Sequence, residues 1–280
     1  MHCLKNLKDA ENLILTIKNR KQTIGFVPTM GALHLGHISL VNQSKKENDF
    51  TFVTVFVNPT QFNNADDLVK YPRTEKQDLA LLEQAGVDAV FFPTVEDIYP
   101  NGELTEHFDF GGLENKMEGE FRPGHFEGVG TVVKRFFEIV QPDNAYFGEK
   151  DFQQLQIIRK MVLTQKLPVQ IIPVAIKREE DGLAMSSRNQ RLTPEMRKEA
   201  PLIFKVLNEA KIHLENHSIA ETKKFVEKQF ESSPLVLEYF EIAEENTLES
   251  AIQKSSSQKI RAFIAVYADE IRLIDNLSLN

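Results

Sequence analysis

The sequence contains a single cysteine, carries more negative than positive charge, and lacks long apolar runs. Because Cys3 is alone, no intrachain disulfide can form, and this fits a reducing compartment. A formal net charge of −8 over 280 residues disfavours a broad basic surface for nucleic acid. No apolar stretch approaches the length of a membrane span, and none near the N-terminus resembles a secretory signal. These absences predict a cytoplasmic protein that binds neither nucleic acid nor membrane.

Strand-like and helix-like segments alternate along the first 176 residues. The apolar runs TIGFV, FTFVTVFV and VDAVFF are separated by segments in which apolar residues recur at helical spacing. Apolar strands separated by helices indicate a parallel sheet that is covered on both faces. The sequence therefore predicts an α/β protein with a Rossmann-like domain over residues 1–176.

The pattern changes over residues 177–280, where two amphipathic helical segments precede the strand-like segments LVLEYFEIA and RAFIAVYADEIRLIDN. This order predicts a smaller α+β domain with a helix pair and a few antiparallel strands. A serine-rich patch near residue 255 is predicted to be a solvated turn.

The segment PTMGALHLGH, residues 28–37, directly follows the first buried strand. Open α/β sheets bind ligands outside the carboxyl ends of their strands, and a helix that begins near Gly36 directs N–H groups outward. Gly31 permits a tight turn, and His34 and His37 are neighbours on one helical face. These features predict a site for the phosphates of a nucleotide. The alternative is that one histidine caps or packs in the turn.

No GxGxxG loop is present in the sequence, and its absence disfavours NAD as the nucleotide.

A second candidate phosphate site is the segment DGLAMSSRNQRL, residues 181–192. Ser186 and Ser187 offer hydroxyl donors, and Arg188 offers a planar cation suited to phosphate oxygens. The alternative for the serines is that they cap a helix. Together with the two-histidine loop, this segment favours a nucleotide-binding enzyme.

Seven motifs occur in the order and spacing of one known family: PTMGALHLGH, FVNPTQF, YPRT, RPGHFEGV, FGEKDFQQL, DGLAMSSRN and RLIDN. HLGH resembles the HIGH motif, and AMSSR resembles the KMSKS-type loop, of the nucleotidylyltransferase superfamily. Within that superfamily the sequence is similar to the pantothenate synthetase (pantoate–β-alanine ligase) family over nearly the whole chain. The resemblance implies a two-step reaction. Pantoate and ATP give pantoyl adenylate and pyrophosphate, and β-alanine then displaces AMP to give pantothenate.

The resemblance also implies which residues act on ATP. Attack of a carboxylate on the α-phosphorus needs charge stabilisation on the phosphates rather than a protein nucleophile. The KMSKS-type loop usually carries a lysine directly before its methionine. Here Ala184 occupies that position before Met185, so Lys150 is expected to supply the cation. The alternative for Lys150 is a solvated lysine at a helix start. The implied catalytic residues are His34, His37, Lys150, Ser186, Ser187 and Arg188. The implied ATP-binding residues are Met30, Gly31, Ala32, Leu33, His34, Leu35, Gly36, His37, Gly148, Glu149, Lys150, Asp151, Lys177, Met185, Ser186, Ser187 and Arg188.

The two small substrates need only a few placed polar groups. The resemblance implies that Gln61 and Gln154 bind pantoate and that Gln61 also lies near β-alanine. An amide side chain both donates and accepts, as a hydroxy acid requires, and the alternative for each glutamine is a surface position. The expected pantoate-binding residues are Pro28, Met30, Gln61 and Gln154, with Asn58 in the same wall and Arg122 and His125 on a nearby loop.

The helix after YPRT often carries an acidic pair for Mg²⁺ in this family, but Gln77 replaces the first carboxylate here and leaves Asp78. Mg²⁺ prefers oxygen ligands and usually needs one or two carboxylates beside substrate phosphates. We therefore expect Mg²⁺ to be required and to be carried mainly by ATP, with Asp78 as its protein ligand. Gln77 is expected to contribute at most through its amide oxygen or a bridging water. The alternative is that Asp78 is a solvated helix carboxylate. The family also implies a homodimer.

Two other functions stay open from the sequence. One is a relative that adenylates another small carboxylate or transfers a nucleotidyl group to a phosphate ester, although Gln61 and Gln154 favour the hydroxy acid. The other is a catalytically silent nucleotide sensor or scaffold, against which His34, His37 and Lys150 argue. The acidic balance disfavours a fragment of a tRNA synthetase.

Overall fold

A computed structural model describes residues 1–63, 65–102, 104–254 and 257–280 and divides the chain into two compact units. The first unit comprises residues 1–149 and 153–175, and the second comprises 150–152 and 176–280. The short segment 150–152 thus belongs by its contacts to the second unit. Ser255 and Ser256, in the predicted serine-rich turn, lie outside the described residues. Over the part of the chain that is described, no helix is long and apolar enough to cross a membrane.

The first unit is built on a six-stranded parallel sheet. Its strands are β1 (His2–Leu4), β2 (Ile24–Thr29), β3 (Phe50–Val55), β4 (Ala89–Phe91), β5 (Asn144–Gly148) and β6 (Gln170–Val174). They are arranged in the order β1-β4-β3-β2-β5-β6, and each pair of neighbours is parallel. The direction of connection reverses between β2 and β5. Their carboxyl ends therefore frame the kind of crevice in which open α/β sheets bind ligands.

Helices cover both faces of this sheet, because alternate residues of a buried strand point to opposite sides. Phe26 of β2 has its ring centroid 5.9 Å from that of Phe136, whereas the next residue, Val27, packs in one cluster with Val41 and Leu82. The helices along this part of the chain are α1 (Leu7–Asn19), α2 (Leu35–Glu47), α3 (Ala65–Lys70), α4 (Glu75–Gln84), α5 (Val95–Ile98), α6 (Glu118–Phe121), α7 (His125–Val140) and α8 (Phe152–Thr164).

The second unit packs helices on an antiparallel sheet. Its helices are α9 (Pro194–Glu199), α10 (Leu202–His213) and α11 (Ile219–Phe230). Its strands β7 (Val236–Glu244), β8 (Ile260–Ala268) and β9 (Ile271–Ser278) pair in the order β7-β8-β9. The predicted fold class, a Rossmann-like parallel sheet followed by a smaller α+β part, is confirmed. The core of this unit includes the fully buried side chains Val206, Leu207, Val226, Ile242 and Ile264.

Candidate active site

The loop between β2 and α2 has a backbone conformation that favours glycine. Gly31 has a φ of +81° and Ala32 has a φ of +48°, both in the left-handed region. A Cβ atom on Gly31 would lie 3.0 Å from Val55 Cγ1 and 3.1 Å from Asp78 Oδ2. Both the left-handed φ and the tight space around position 31 therefore favour glycine there.

The Asp78 carboxylate of α4 accepts hydrogen bonds from backbone N–H groups of this loop. Its Oδ2 accepts a hydrogen bond from the Ala32 N–H at 3.0 Å, and its Oδ1 accepts from the Leu33 N–H at 2.7 Å. The Thr74 hydroxyl donates to Oδ1 at 3.1 Å. The carboxylate is only 1% exposed, so these donors replace the water that a buried charge loses. Asp78 is thus not a solvated helix carboxylate, and its role toward Mg²⁺ stays a prediction.

His34 and His37 form a capping box at the N-terminus of α2. His34 Nδ1 accepts from the Gly36 N–H at 3.1 Å, and the His34 N–H donates to His37 Nδ1 at 3.2 Å. The two ring centroids lie 4.1 Å apart. A ring nitrogen that accepts a hydrogen bond carries no proton, so each neutral imidazole carries its proton on Nε2. His34 therefore does cap the helix, as the alternative from the sequence allowed.

The N-terminus of α2 has the electrostatic character of an anion site. Its first turn contains no acidic residue, so nothing in that turn neutralises the partial positive charge of the helix end. Of the other predicted ATP-binding residues in the loop, Leu33 is buried, Met30 and Gly36 are half-buried, and Leu35 is exposed.

Gln61 ends a short turn after β3 and contacts the same loop. Its Nε2 donates to Met30 Sδ at 2.9 Å, and its Oε1 accepts from Asn58 Nδ2 at 3.2 Å. Asn58 is 1% exposed and accepts from the Tyr99 hydroxyl at 2.7 Å. An amide has two donor hydrogens and two acceptor lone pairs. With these described neighbours, Gln61 keeps one donor and one acceptor for a ligand.

The backbone of Gln61 is held by the RPGHF segment. His125 Nδ1 donates to the Gln61 carbonyl oxygen at 2.8 Å, and Arg122 Nη2 donates to the same oxygen at 3.4 Å. Gly128 of α7 packs so closely that a Cβ atom there would lie 2.4 Å from the Thr60 carbonyl oxygen. The structure thus brings five of the residues predicted for this wall and the nearby loop into one hydrogen-bonded cluster: Met30, Asn58, Gln61, Arg122 and His125.

Gln154 is not part of that hydrogen-bonded cluster. It lies half-buried on the first turn of α8, and Pro28 is half-buried in β2. The adjacent Gln153 is 3% exposed and donates to the carbonyl oxygens of Leu113 at 2.8 Å and Lys116 at 2.7 Å. Of the two adjacent glutamines, Gln153 is therefore the one whose amide hydrogen-bonds to the backbone of the segment 113–116.

In the second unit, Lys150 shares a pocket with the MSSR loop. Lys150 lies in the turn that follows β5, and its Nζ is 3.5 Å from Asp151 Oδ1, a long ion pair. The pocket is lined by Lys150, Ser186, Asn189 and Asp275 together with apolar side chains. The predicted phosphate-binding cation and one predicted serine are thus brought together. Asp275 was not among the site residues predicted from the sequence, although it lies in the RLIDN motif, which was one of the seven that the sequence analysis identified.

A short hairpin leads into the MSSR loop. Arg178 and Ala184 form an isolated antiparallel bridge, and the Met185 N–H donates to the Lys177 carbonyl oxygen at 3.0 Å. The loop then enters a 3₁₀ turn, which Ser186 caps by accepting the N–H of the second residue after it at 3.3 Å. A hydroxyl that accepts through one lone pair still has its own hydrogen to donate. The capping alternative is therefore correct for Ser186, and the hydroxyl retains a donor.

The chain is thus an α/β protein with a Rossmann-like parallel sheet and a HIGH-type motif after its second strand. A family model described as pantoate-beta-alanine ligase matches residues 2–278. The pantothenate synthetase of Christiangramia forsetii is 53% identical over 269 residues, which cover 95% of each chain. The pantothenate synthetase structure from Thermus thermophilus aligns with a TM-score of 0.92 at 41% identity, covering 100% of this chain and 99% of that one.

A further solved structure is similar and contains ligands. The pantoate-beta-alanine ligase of Francisella tularensis, complexed with beta-gamma ATP and beta-alanine, aligns with a TM-score of 0.84 at 36% identity and covers 98% of that chain and 100% of this one. The chain therefore belongs to the pantoate–β-alanine ligase family, a family of ATP-dependent ligases, as the seven motifs predicted.

Proposed function

We propose that this chain condenses pantoate with β-alanine in an ATP-dependent reaction that forms AMP. Family membership supports this, and the observation that carries it is the His34–His37 capping box, which places two Nε2–H donors at a helix N-terminus. In the first step the pantoate carboxylate attacks the α-phosphorus of ATP and pyrophosphate leaves. In the second, the β-alanine amine attacks the acyl carbon of pantoyl adenylate, and AMP leaves to give pantothenate.

In the first unit, residues 30–37 bind the ATP phosphates. The N–H groups of α2 and the Nε2–H groups of His34 and His37 stabilise negative charge that grows on the phosphate oxygens in the transition state. Their role is to donate hydrogen bonds and to hold the phosphates in place, since the carboxylate nucleophile needs no general base at neutral pH.

In the second unit, four side chains supply the remaining charge stabilisation. Lys150 and Arg188 contribute cations, and Ser186 and Ser187 contribute hydroxyl donors. No covalent acyl-enzyme is needed, because ATP itself activates the carboxylate. Other proposed ATP contacts along the chain are Gly148, Glu149, Asp151, Lys177 and Met185.

The two-step order can be tested without the second substrate. We expect pantoate to drive exchange of labelled pyrophosphate into ATP in the absence of β-alanine, because the adenylate forms reversibly before the amine reacts. The control omits pantoate. Exchange that requires β-alanine would refute the two-step reaction. Exchange with another small carboxylate but not with pantoate would support the alternative ligase, and ATP binding without AMP formation would support a nucleotide sensor.

Pantoate is proposed to lie against Pro28, Met30, Gln61 and Gln154, with β-alanine near Gln61. We expect Gln61→Ala to lower kcat/KM for pantoate by about 10- to 100-fold, the scale of a lost hydrogen bond to a charged ligand. The KM for ATP is expected to stay within about twofold. Gln84→Ala, at an exposed glutamine that ends α4, is the matched control. Equal losses for pantoate and ATP would contradict the assignment.

Mg²⁺ is proposed to enter the site with ATP. Within the described ranges, no three His, Cys, Asp or Glu side chains converge in a way that could hold a metal ion. Asp78 Oδ1 accepts from the Leu33 N–H and the Thr74 hydroxyl, and Oδ2 accepts from the Ala32 N–H, so only Oδ2 keeps a lone pair for a metal ion. Such a set fits a metal held mainly by the substrate phosphates.

Asp78→Asn tests both roles of this carboxylate. The amide nitrogen cannot accept an N–H, so one of the two loop bonds is lost, and we expect the maximal adenylation rate to fall by about tenfold. We also expect the Mg²⁺ concentration for half-maximal rate to rise, because a neutral amide is the weaker ligand. Glu83→Gln, exposed on the same helix, is the control. A normal rate with an unchanged Mg²⁺ titration would contradict both expectations.

We further propose a cytoplasmic homodimer. The single cysteine supports a reducing compartment, and the family resemblance supports the dimer. Sedimentation equilibrium of the purified chain tests the second statement, and a monomer at micromolar concentration would refute it.

A further inference from the structure

The RLIDN motif near the end of the chain has no role in the reaction as proposed above. Its last two residues, Asp275 and Asn276, lie on β9 and are 4% and 2% exposed. Buried polar side chains are costly unless they are hydrogen-bonded, so their partners indicate what they do.

Asn276 binds the backbone of the proposed phosphate-binding lysine. Its Nδ2 donates to the Lys150 carbonyl oxygen at 2.9 Å, and its Oδ1 accepts from Arg261 Nη1 at 2.6 Å. The Arg261 guanidinium also stacks 4.0 Å from the ring centroid of Phe152, two residues after the lysine. The Phe152 ring in turn packs 5.9 Å from Phe263 of β8. The segment 150–152 is therefore held at both ends by the second unit.

Asp275 binds the hairpin that leads into the MSSR loop. Its two oxygens accept from Arg178 Nη1 at 2.6 Å and Nη2 at 3.0 Å, a bidentate pair. Arg178 also donates to the Gly182 carbonyl oxygen at 3.1 Å and stacks 3.7 Å from the Phe204 ring centroid. Burial raises the pKa of the Asp275 carboxyl, and the Arg178 guanidinium opposes that shift.

We propose that Asp275 and Asn276 are positioning residues that hold Lys150 and the MSSR loop at a fixed separation for ATP. This inference rests on the proposed function, since it assigns the held groups to the phosphates. A lysine side chain has four rotatable bonds, so its ammonium is placed accurately only when its backbone is fixed. Transition-state charge stabilisation depends on such preorganisation, and a misplacement of about 1 Å can cost about 100-fold in rate.

Asn276→Asp is the sharpest variant because it has the same shape. The new carboxylate still accepts from Arg261 but cannot donate to the Lys150 carbonyl. We expect the adenylation kcat to fall by about 10- to 100-fold. The KM for pantoate should be unchanged, because Gln61 belongs to the first unit and Asn276 to the second. The matched control is Asn280→Ala, which removes another amide-to-backbone bond, from Asn280 Nδ2 to the Ile260 carbonyl oxygen at 3.1 Å.

A double-mutant cycle separates positioning from simple loss of stability. If Asn276 acts through Lys150, then Asn276→Asp should cost no more than about twofold once Lys150→Ala is present. An equal cost in both backgrounds would overturn the proposal. Asn276→Ala serves as the second variant, and melting temperatures are recorded for each. A loss of rate that is fully explained by the unfolded fraction would also overturn it.

Chemical labelling gives a readout that does not depend on the ligase reaction. We expect ATP to protect Lys150 from an amine-reactive reagent in the wild type and in Asn280→Ala, but several-fold less well in Asn276→Asp. Equal protection in all three proteins would overturn the positioning role. A wild type that shows protection but forms no AMP with pantoate and β-alanine would refute the proposed ligase reaction, whereas the positioning of Lys150 toward ATP would stand.

Discussion

Replacing His37 by alanine is expected to lower the rate of pantoyl adenylate formation by about 100- to 1,000-fold, the usual scale for losing a donor that stabilises transition-state charge. The change removes the Nε2–H and also the Nδ1 acceptor that closes the capping box with the His34 N–H. The fold is expected to survive, because a lost cap costs only about 0.5–2 kcal/mol. Pyrophosphate exchange measures the rate, and circular dichroism with thermal melting checks the fold.

His37→Asn separates the two functions of this ring. An asparagine oxygen can take the place of Nδ1 in the capping box, but nothing replaces Nε2. The chain itself shows that a side chain of this length suffices, because Asp97 closes a capping box with Thr94 at the start of α5. We expect His37→Asn to melt like the wild type and to be as slow as the alanine variant. Recovery of the rate in His37→Asn would make the role of His37 structural, and His217→Ala, an exposed histidine of the second unit, is the control.

Lys150→Met is expected to cause a loss of similar size, about 100- to 1,000-fold in the adenylation rate. Methionine keeps most of the aliphatic stem and removes the ammonium, so packing in the turn after β5 is conserved while the cation is lost. Because negative charge on the phosphates is redistributed in the transition state, we expect kcat to fall more than the affinity for ATP. Single-turnover formation of the adenylate and equilibrium binding of ATP measure the two quantities separately.

The control for Lys150 is Lys228→Met on α11, where an exposed lysine near the end of a helix is lost without expected effect. If Lys150→Met binds ATP more weakly but reacts at the normal rate once saturated, Lys150 contributes only to ground-state binding. An unchanged rate and affinity would show that the Lys150 ammonium takes no part in ATP binding or in adenylation.

The fold was predictable because its signals are local and repeated. The strands β2, β3 and β4 lie in apolar runs, and the helices between strands show apolar spacing, so alternation indicated a parallel sheet covered on both sides. The edge strand β1 (His2–Leu4) was not predicted, because it has three residues and is mostly exposed. The turn at Gly31 was equally local, since its φ of +81° reflects a requirement of the motif itself. In contrast, the segment 150–152 sits between β5 and the body of α8 in the chain but belongs by its contacts to the second unit.

The sequence by itself determined the fold class, the family and the set of chemical groups, because these depend on residue type, spacing and order along the chain. Only the tertiary structure decided how those groups are held. It showed that His34 caps α2, that Asp78 accepts the N–H of Ala32 from 46 positions away, and that Asn276 binds the carbonyl of Lys150 across 126 positions. The physical reason is that a hydrogen bond depends on distance and angle between two atoms, and residues far apart in the chain reach that geometry only after the core has packed.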